Sequence, residues 1–197
     1  NLTAAEFFVD TSAADGSGVP LTAAGGSFYA PTQAIKATIN ATTFAALTQG
    51  SHTIYIHVQD AAGNWGPFAT VPWTKDTLAP TTSNLAISPV MANRPPTITA
   101  TGTDAAAGMS DVSGAELFLD ATSTYGSGLS LSADDGRYDS PAETSAAVLP
   151  AAAFAALSSG VHTIHVHTRD AGGKWGDFIS LVFTKDTAHP IAELGQL

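Results

Sequence analysis

The sequence predicts an all-β chain made of two antiparallel β-sandwiches, and three observations predict it. Residues 4–80 align without a gap on residues 114–190 at an offset of 110, with 33 of 77 positions identical. Short segments of alternating apolar and polar residues recur between Gly, Pro, Asp and Asn clusters, the pattern of strands with one face on a core. No long amphipathic helix interrupts them. A period this long is a whole domain in tandem, since solenoid units run to about 20–50 residues.

The clearest strand is 52–60, in which Ile54, Ile56 and Val58 alternate with Thr53, Tyr55, His57 and Gln59. Its copy at 162–170 places Ile164 and Val166 inward and Thr163, His165, His167 and Arg169 outward. Asp60-Ala-Ala-Gly63-Asn64 and Asp170-Ala-Gly-Gly173-Lys174 follow as turns, because Asp bonds backbone N–H groups ahead of it and Gly admits positive φ. In the second copy the remaining strands fall at 84–88, 97–103, 115–120, 145–149 and 178–184, with a weaker one near 128–132. Seven short strands in one repeat period suit a sandwich. Phe154-Ala-Ala-Leu157 is expected to form one helical turn that plugs the sandwich end, and Pro150 to lie on an edge.

Composition narrows the function. A formal charge of −10 with seven Lys plus Arg argues against a nucleic-acid surface. The absence of Cys excludes disulfide staples and Cys-ligated metal. No apolar run approaches the roughly 18 residues that span a bilayer. The chain opens on Asn1 with no signal-peptide pattern, as in a processed form or an excerpt. The sequons at Asn1 and Asn40 carry little weight in a Thr-rich chain, since Asn40 has Pro150 as its copy.

Gly50-x-His52-Thr-Ile-Tyr-Ile-His-Val-Gln-Asp60-Ala-Ala-Gly-Asn-Trp65, followed by Lys75-Asp76-Thr-x-Ala-Pro80, resembles the immunoglobulin-like repeats of bacterial and archaeal cell-surface proteins. Gly102-Thr-Asp104-x-x-x-Gly108 and Gly114-Ala-Glu116-Leu-Phe-Leu-Asp120 are similar to their second and third strands. The resemblance implies tandem immunoglobulin-like modules in an extracellular or cell-surface protein. His52 and His162 stand where many such domains carry a corner tyrosine, and are expected to be hydrogen-bonded corners. Lys174 departs from the usual Asn, which predicts a looser turn in the second copy.

The segment 81–104 occurs once, whereas the five-strand body occurs twice. We therefore expect 1–79 to be an incomplete repeat lacking its first two strands, 80–190 a complete one, and 191–197 a linker or the start of another. The incomplete body would expose a sheet edge. Upstream residues, another chain or a swapped strand pair would cover it, the last two permitting assembly into a filament.

Candidate sites are few. Asp104 and Asp111 lie in or near the turn after the second strand, Asp170 begins the turn after the sixth, and Asp76 is in the entering linker. These four carboxylates would suit interdomain calcium, which takes hard oxygen ligands. The competing reading makes Asp170 a turn cap and leaves Asp76 solvated or paired with Lys75. Asp134-Asp135-Gly136 reads as a polar hairpin turn, since its copy Ala24-Gly25-Gly26 has no acid. His165 and His167, two apart on one strand, have chelating spacing but no third ligand nearby. Trp65 and Trp175 would either stack on a glycan or close the sandwich end.

No catalytic motif appears. Glu6 and Asp10 are four residues apart on one strand, about 13 Å, too far for a retaining glycosidase pair. Their recurrence as Glu116 and Asp120 points to structure. The reading is a non-catalytic stalk, fibre or spacer, not an enzyme, whose partners are neighbouring repeats or identical chains. It requires no cofactor apart from the calcium considered above. The alternatives are an adhesin module for a glycan or surface protein, and an accessory region of a secreted hydrolase.

Overall fold

The computed structural model describes residues 1–189. The expected linker at 191–197 lies outside the described residues. The chain divides into two compact units, the first Asn1–Asp76 and the second starting at Thr77.

The first unit contains β1 (Leu2–Val9), β2 (Val19–Pro20), β3 (Thr22–Ala23), β4 (Ile35–Lys36), α1 (Ala41–Ala46), β5 (Gly50–Asp60) and β6 (Ala69–Lys75). β2-β1-β5-β6 form one antiparallel sheet, while β3 and β4 pair as a separate two-stranded ribbon. Ala5, Phe7 and Leu21 are buried, and Ile35, Ile39, Ile54, Ile56 and Val58 pack on them only half-buried. A groove of about 210 Å³ runs between the two layers, lined by Phe7, Leu21, Ile35, Ile39, Ile54 and Val71 among others.

The second unit contains β7 (Thr81–Ser88), β8 (Met91–Ala92), β9 (Thr97–Thr103), β10 (Val112–Leu119), β11 (Leu129–Ala133), β12 (Ala142–Val148), α2 (Ala151–Ala156), β13 (Gly160–Asp170) and β14 (Ile179–Lys185). Strand order is β7-β9-β12-β11-β10-β13-β14-β8. β11 changes layer midway, pairing through Leu129–Leu131 with β10 and through Ser132 and Ala133 with β12. One layer is therefore β7-β9-β12 and the other β11-β10-β13-β14-β8. First, second and fifth strands against third, sixth and seventh is the immunoglobulin-like arrangement. Ile87, Ala92, Ile98, Ala100, Leu117, Leu131, Leu149, Ile164, Val166 and Phe183 fill the space between.

Expected and observed strands agree to within a few residues, β9 at both ends. β8 was not anticipated: two residues, Met91 and Ala92, pair parallel with β14, too short a run to show a period. Pro150 is not on a strand edge; it is the N-cap residue of α2, after β12 has ended. Phe154 plugs the interior from α2 at 5% exposure. In the first unit the copied position is Asn40, whose side chain accepts the Thr43 N–H at 2.8 Å and caps α1.

Candidate functional site

Three polar clusters recur in both units. The first lies on β1 and β5, and again on β10 and β13. Glu6 and Glu116 are buried at 3% and 2% exposure, and each carboxylate accepts two loop N–H groups. Gly16 and Gly18 donate to Glu6 at 2.8 and 2.7 Å; Gly126 and Gly128 donate to Glu116, both at 2.7 Å. Glycine is required at 128, since a Cβ there would stand 2.8 Å from the Leu117 carbonyl and 3.0 Å from the Glu116 carboxylate. The other partner is histidine: His57 Nε2 lies 2.6 Å from Glu6 Oε1, and His167 Nε2 lies 2.7 Å from Glu116 Oε1.

Aromatic rings enclose both histidines. His57 stacks on Trp65 at 4.3 Å and on Phe68 at 4.1 Å; His167 stacks on Trp175 at 4.4 Å and on Phe178 at 3.9 Å. His167 Nδ1 also meets the Gly176 carbonyl at 3.1 Å. Both ring nitrogens of His167 thus lie against oxygens of its own chain, Glu116 Oε1 on one side and the Gly176 carbonyl on the other. Neither nitrogen of the His167 ring is left unengaged.

This corrects the outward placement of His57 and His167. They do leave the strand on the polar face, but the aromatic segment after the turn covers that face and excludes water. His165 remains half-exposed, with Nδ1 2.7 Å from Ser180 Oγ. The chelating pair therefore does not exist. Glu6 lowers its carboxyl pKa despite the opposing cost of desolvation, through the bond from His57 and the two glycine N–H groups.

The second cluster is the corner at the start of β5 and β13, where His52 and His162 are buried as expected. His52 bonds Thr48 O at 2.9 Å and Asp10 Oδ2 at 2.8 Å; His162 bonds Ser158 O and Asp120 Oδ2 at the same distances. Those carbonyls, then the carboxylates, raise both histidines above the ordinary range. Asp10 and Asp120 adopt left-handed φ of 65° and 60°, which turns each carboxylate back to accept the Thr53 or Thr163 N–H. Asp10 is lowered chiefly by His52. Burial opposes the lowering at Asp120, and the bonds from Thr163 and His162 outweigh it.

The third cluster was missed. Lys75 and Lys185 are buried at 5% and 8% exposure, with each amine on the carbonyl end of the short helix. Lys75 Nζ donates to Leu47 O at 2.6 Å, and Lys185 Nζ to Leu157 O at 2.6 Å and Phe154 O at 2.9 Å. A cation there satisfies carbonyls that the helix leaves unbonded. The only signal in the sequence was the recurrence of Lys-Asp-Thr at 75 and 185.

The four carboxylates proposed for calcium are placed as follows. Asp104, directly after β9, and Asp170, ending β13, are both fully buried in the second unit, and their carboxylate oxygens approach within 4.8 Å. Asp111 is exposed and contributes its backbone carbonyl to the Ala171 N–H at 2.7 Å; its carboxylate is not in that group. Asp76 is the half-buried last residue of the first unit. Asp170 also caps its turn, Oδ1 accepting the Lys174 N–H at 2.8 Å. The backbone of that turn matches its copy, Asp60 N–H to Asn64 O and Asp170 N–H to Lys174 O both being 3.0 Å, while the side-chain bonds from Asn64 to Asp60 have no counterpart at Lys174. In the Asp134 turn, Asp135 accepts the Arg137 N–H at 3.0 Å, as a polar hairpin requires. Trp65 and Trp175 each spend one ring face on a histidine, and Arg169 approaches the Trp175 ring at 6.0 Å. Among the described residues no helix is long and apolar enough to cross a membrane.

No family model matches the chain, and no curated protein matches it. Among solved structures it is similar to the fibronectin(III)-like modules of Clostridium thermocellum CbhA. That similarity has 16% identity and a TM-score of 0.38, covering 98% of this chain and 84% of that one. The sandwich assignment stands on the pairing and burial of this chain's own strands.

Proposed function

We propose that the chain is a non-catalytic structural segment of a secreted or cell-surface protein, a stalk or spacer built of immunoglobulin-like modules. One observation carries the reading. In both units the histidines with the chemistry to act on a substrate direct their ring nitrogens at their own chain. The Glu–His and Asp–His clusters engage the four buried histidines with carboxylates of their own chain, and the Lys–helix clusters satisfy the helix ends. The low charged fraction, 12% of residues, and the lack of Cys fit a repeat carried outside the cell. Its contacts are with neighbouring repeats or identical chains.

Binding of the purified chain to a glycan array, and turnover of a panel of polysaccharide and ester substrates, test this. Blank results are expected on both. Glycan binding abolished by Trp65→Ala or Trp175→Ala would replace the spacer with an adhesin module. Turnover that follows the pure chain would make it an enzyme.

A further inference from the structure

We propose that Asp104 and Asp170 of the second unit bind a hard divalent cation, Ca²⁺ by the chemistry of the ligands. The inference is independent of the spacer reading. Both side chains are at 0% exposure, and their carboxylate oxygens lie within 4.8 Å of one another. Burying two like charges this close is costly unless an opposite charge sits between them. Calcium bonds oxygen at about 2.3–2.6 Å, so one ion reaches two oxygens with this separation. The group holds neither His nor Cys, and oxygen-only donors favour Ca²⁺ or Mg²⁺ over zinc or copper.

An independent observation comes from the turn itself. Asp170 Oδ1 is used by the Lys174 N–H, but Oδ2 is buried and has no hydrogen-bond partner. In the first unit the copied carboxylate is fully used. Asp60 Oδ1 accepts the N–H groups of Ala62 and Asn64 at 2.8 and 2.9 Å, and Oδ2 accepts the Asn64 side-chain amide at 3.2 Å. Position 174 is an exposed lysine rather than an asparagine, so that amide is absent. The first unit also contains no copy of Asp104, whose segment occurs once. The second unit has thus exchanged a self-satisfied turn for a carboxylate aimed at a second carboxylate. On Asp104 the other oxygen, Oδ2, is held by the Ser110 N–H at 2.8 Å and Ser110 Oγ at 3.0 Å, which fixes its orientation.

The test is calorimetric titration of the EDTA-stripped full chain with CaCl₂ and, separately, MgCl₂, with melting curves in each condition. One Ca²⁺ is expected in the second unit, with a Kd of about 10⁻⁴–10⁻³ M, the range of extracellular modules. Asp170→Asn keeps the turn cap and removes the charge, so it should weaken Ca²⁺ at least tenfold. It should also melt above the wild type in EDTA and below it in Ca²⁺, a reversal that a purely structural carboxylate does not give. Asp60→Asn, in the first unit, should leave the titration unchanged. An unchanged wild-type midpoint between EDTA and 10 mM Ca²⁺ would overturn the proposal even if both variants misfold. So would equal affinity in wild type and Asp170→Asn.

Discussion

The two units share their polar anchors almost to the tenth of an ångström and differ in how deeply the same apolar residues are buried. His–Asp separations at the corner are 2.8 Å in both, and His–Glu separations are 2.6 and 2.7 Å. Ile164 and Phe183, however, are fully buried, while their copies Ile54 and Trp73 are only half-buried. The difference is β7 and β9. In the second unit these strands place Ile87 and Ile98 over Leu117, Leu131, Leu149 and Ile164. In the first unit the matching Phe7, Leu21, Ile39 and Ile54 line an open groove. These hydrogen-bonded clusters are local and form from one sheet and its loops. Apolar closure is a property of both layers together.

Truncations at equivalent sites should break or sharpen this comparison. Glu116→Ala strands the buried His167 Nε2 and two loop N–H groups, and should cost about 3–5 kcal/mol. Glu6→Ala should cost nearly as much, because its cluster is local. A marked inequality in urea titrations would show that the anchors too depend on the second layer. Ile164→Ala should cost about 2–5 kcal/mol, while Ile54→Ala, already beside a groove, should fall at or below the lower end. Equal losses would mean that the groove is closed in solution.

Stability against pH should change in the same direction in both units. His52 and His162 have raised folded pKa values, so their contribution is complete below the unfolded value, about 6.5. It is lost as pH rises through the folded value. Asp10 and Asp120 are lowered, so theirs is complete above about 3.9 and is lost as pH falls through the folded value. Both contributions coexist between those limits. Melting curves from pH 4 to 9 should show a mildly acidic plateau and an alkaline decline, reduced in a His52→Gln, His162→Gln double variant. The smallest effect is expected at the turns. Lys174→Asn, which restores the amide found at Asn64, should add about 0.5–1.5 kcal/mol in EDTA and reduce any response to Ca²⁺.

Much of this was legible in the sequence because strand period and turn chemistry are local. Thr97–Thr103 and the segment ending at Asp170 announce themselves by alternation, and the Asp-x-x-Gly turns by residue type. His167 was misplaced because alternation reports which side of a strand a residue leaves, not what later covers that side. Its partner Glu116 is 51 residues away, and its aromatic cover comes from Trp175 and Phe178 beyond the next turn. A usable signal existed: position 55 changes from Tyr to His at 165, whereas Glu6, His57, Trp65 and Phe68 all recur unchanged. Lys75 and Lys185 were hidden differently, since a lysine ending a strand is ordinarily solvated. The pairing of Asp104 with Asp170 followed from placing two turns at one pole. Asp111 did not join them because its backbone, not its side chain, faces the Asp170 turn.

The buried amines have a practical consequence. The chain has four lysines, at 36, 75, 174 and 185, of which Lys36 and Lys174 are exposed. Lys75 and Lys185 each lie beneath a helix end of a different unit. An acylating reagent should therefore modify two lysines rapidly and the other two only as each body opens. Peptide mapping of the acylated product would time the opening of each half separately, without a mutation or a fluorophore.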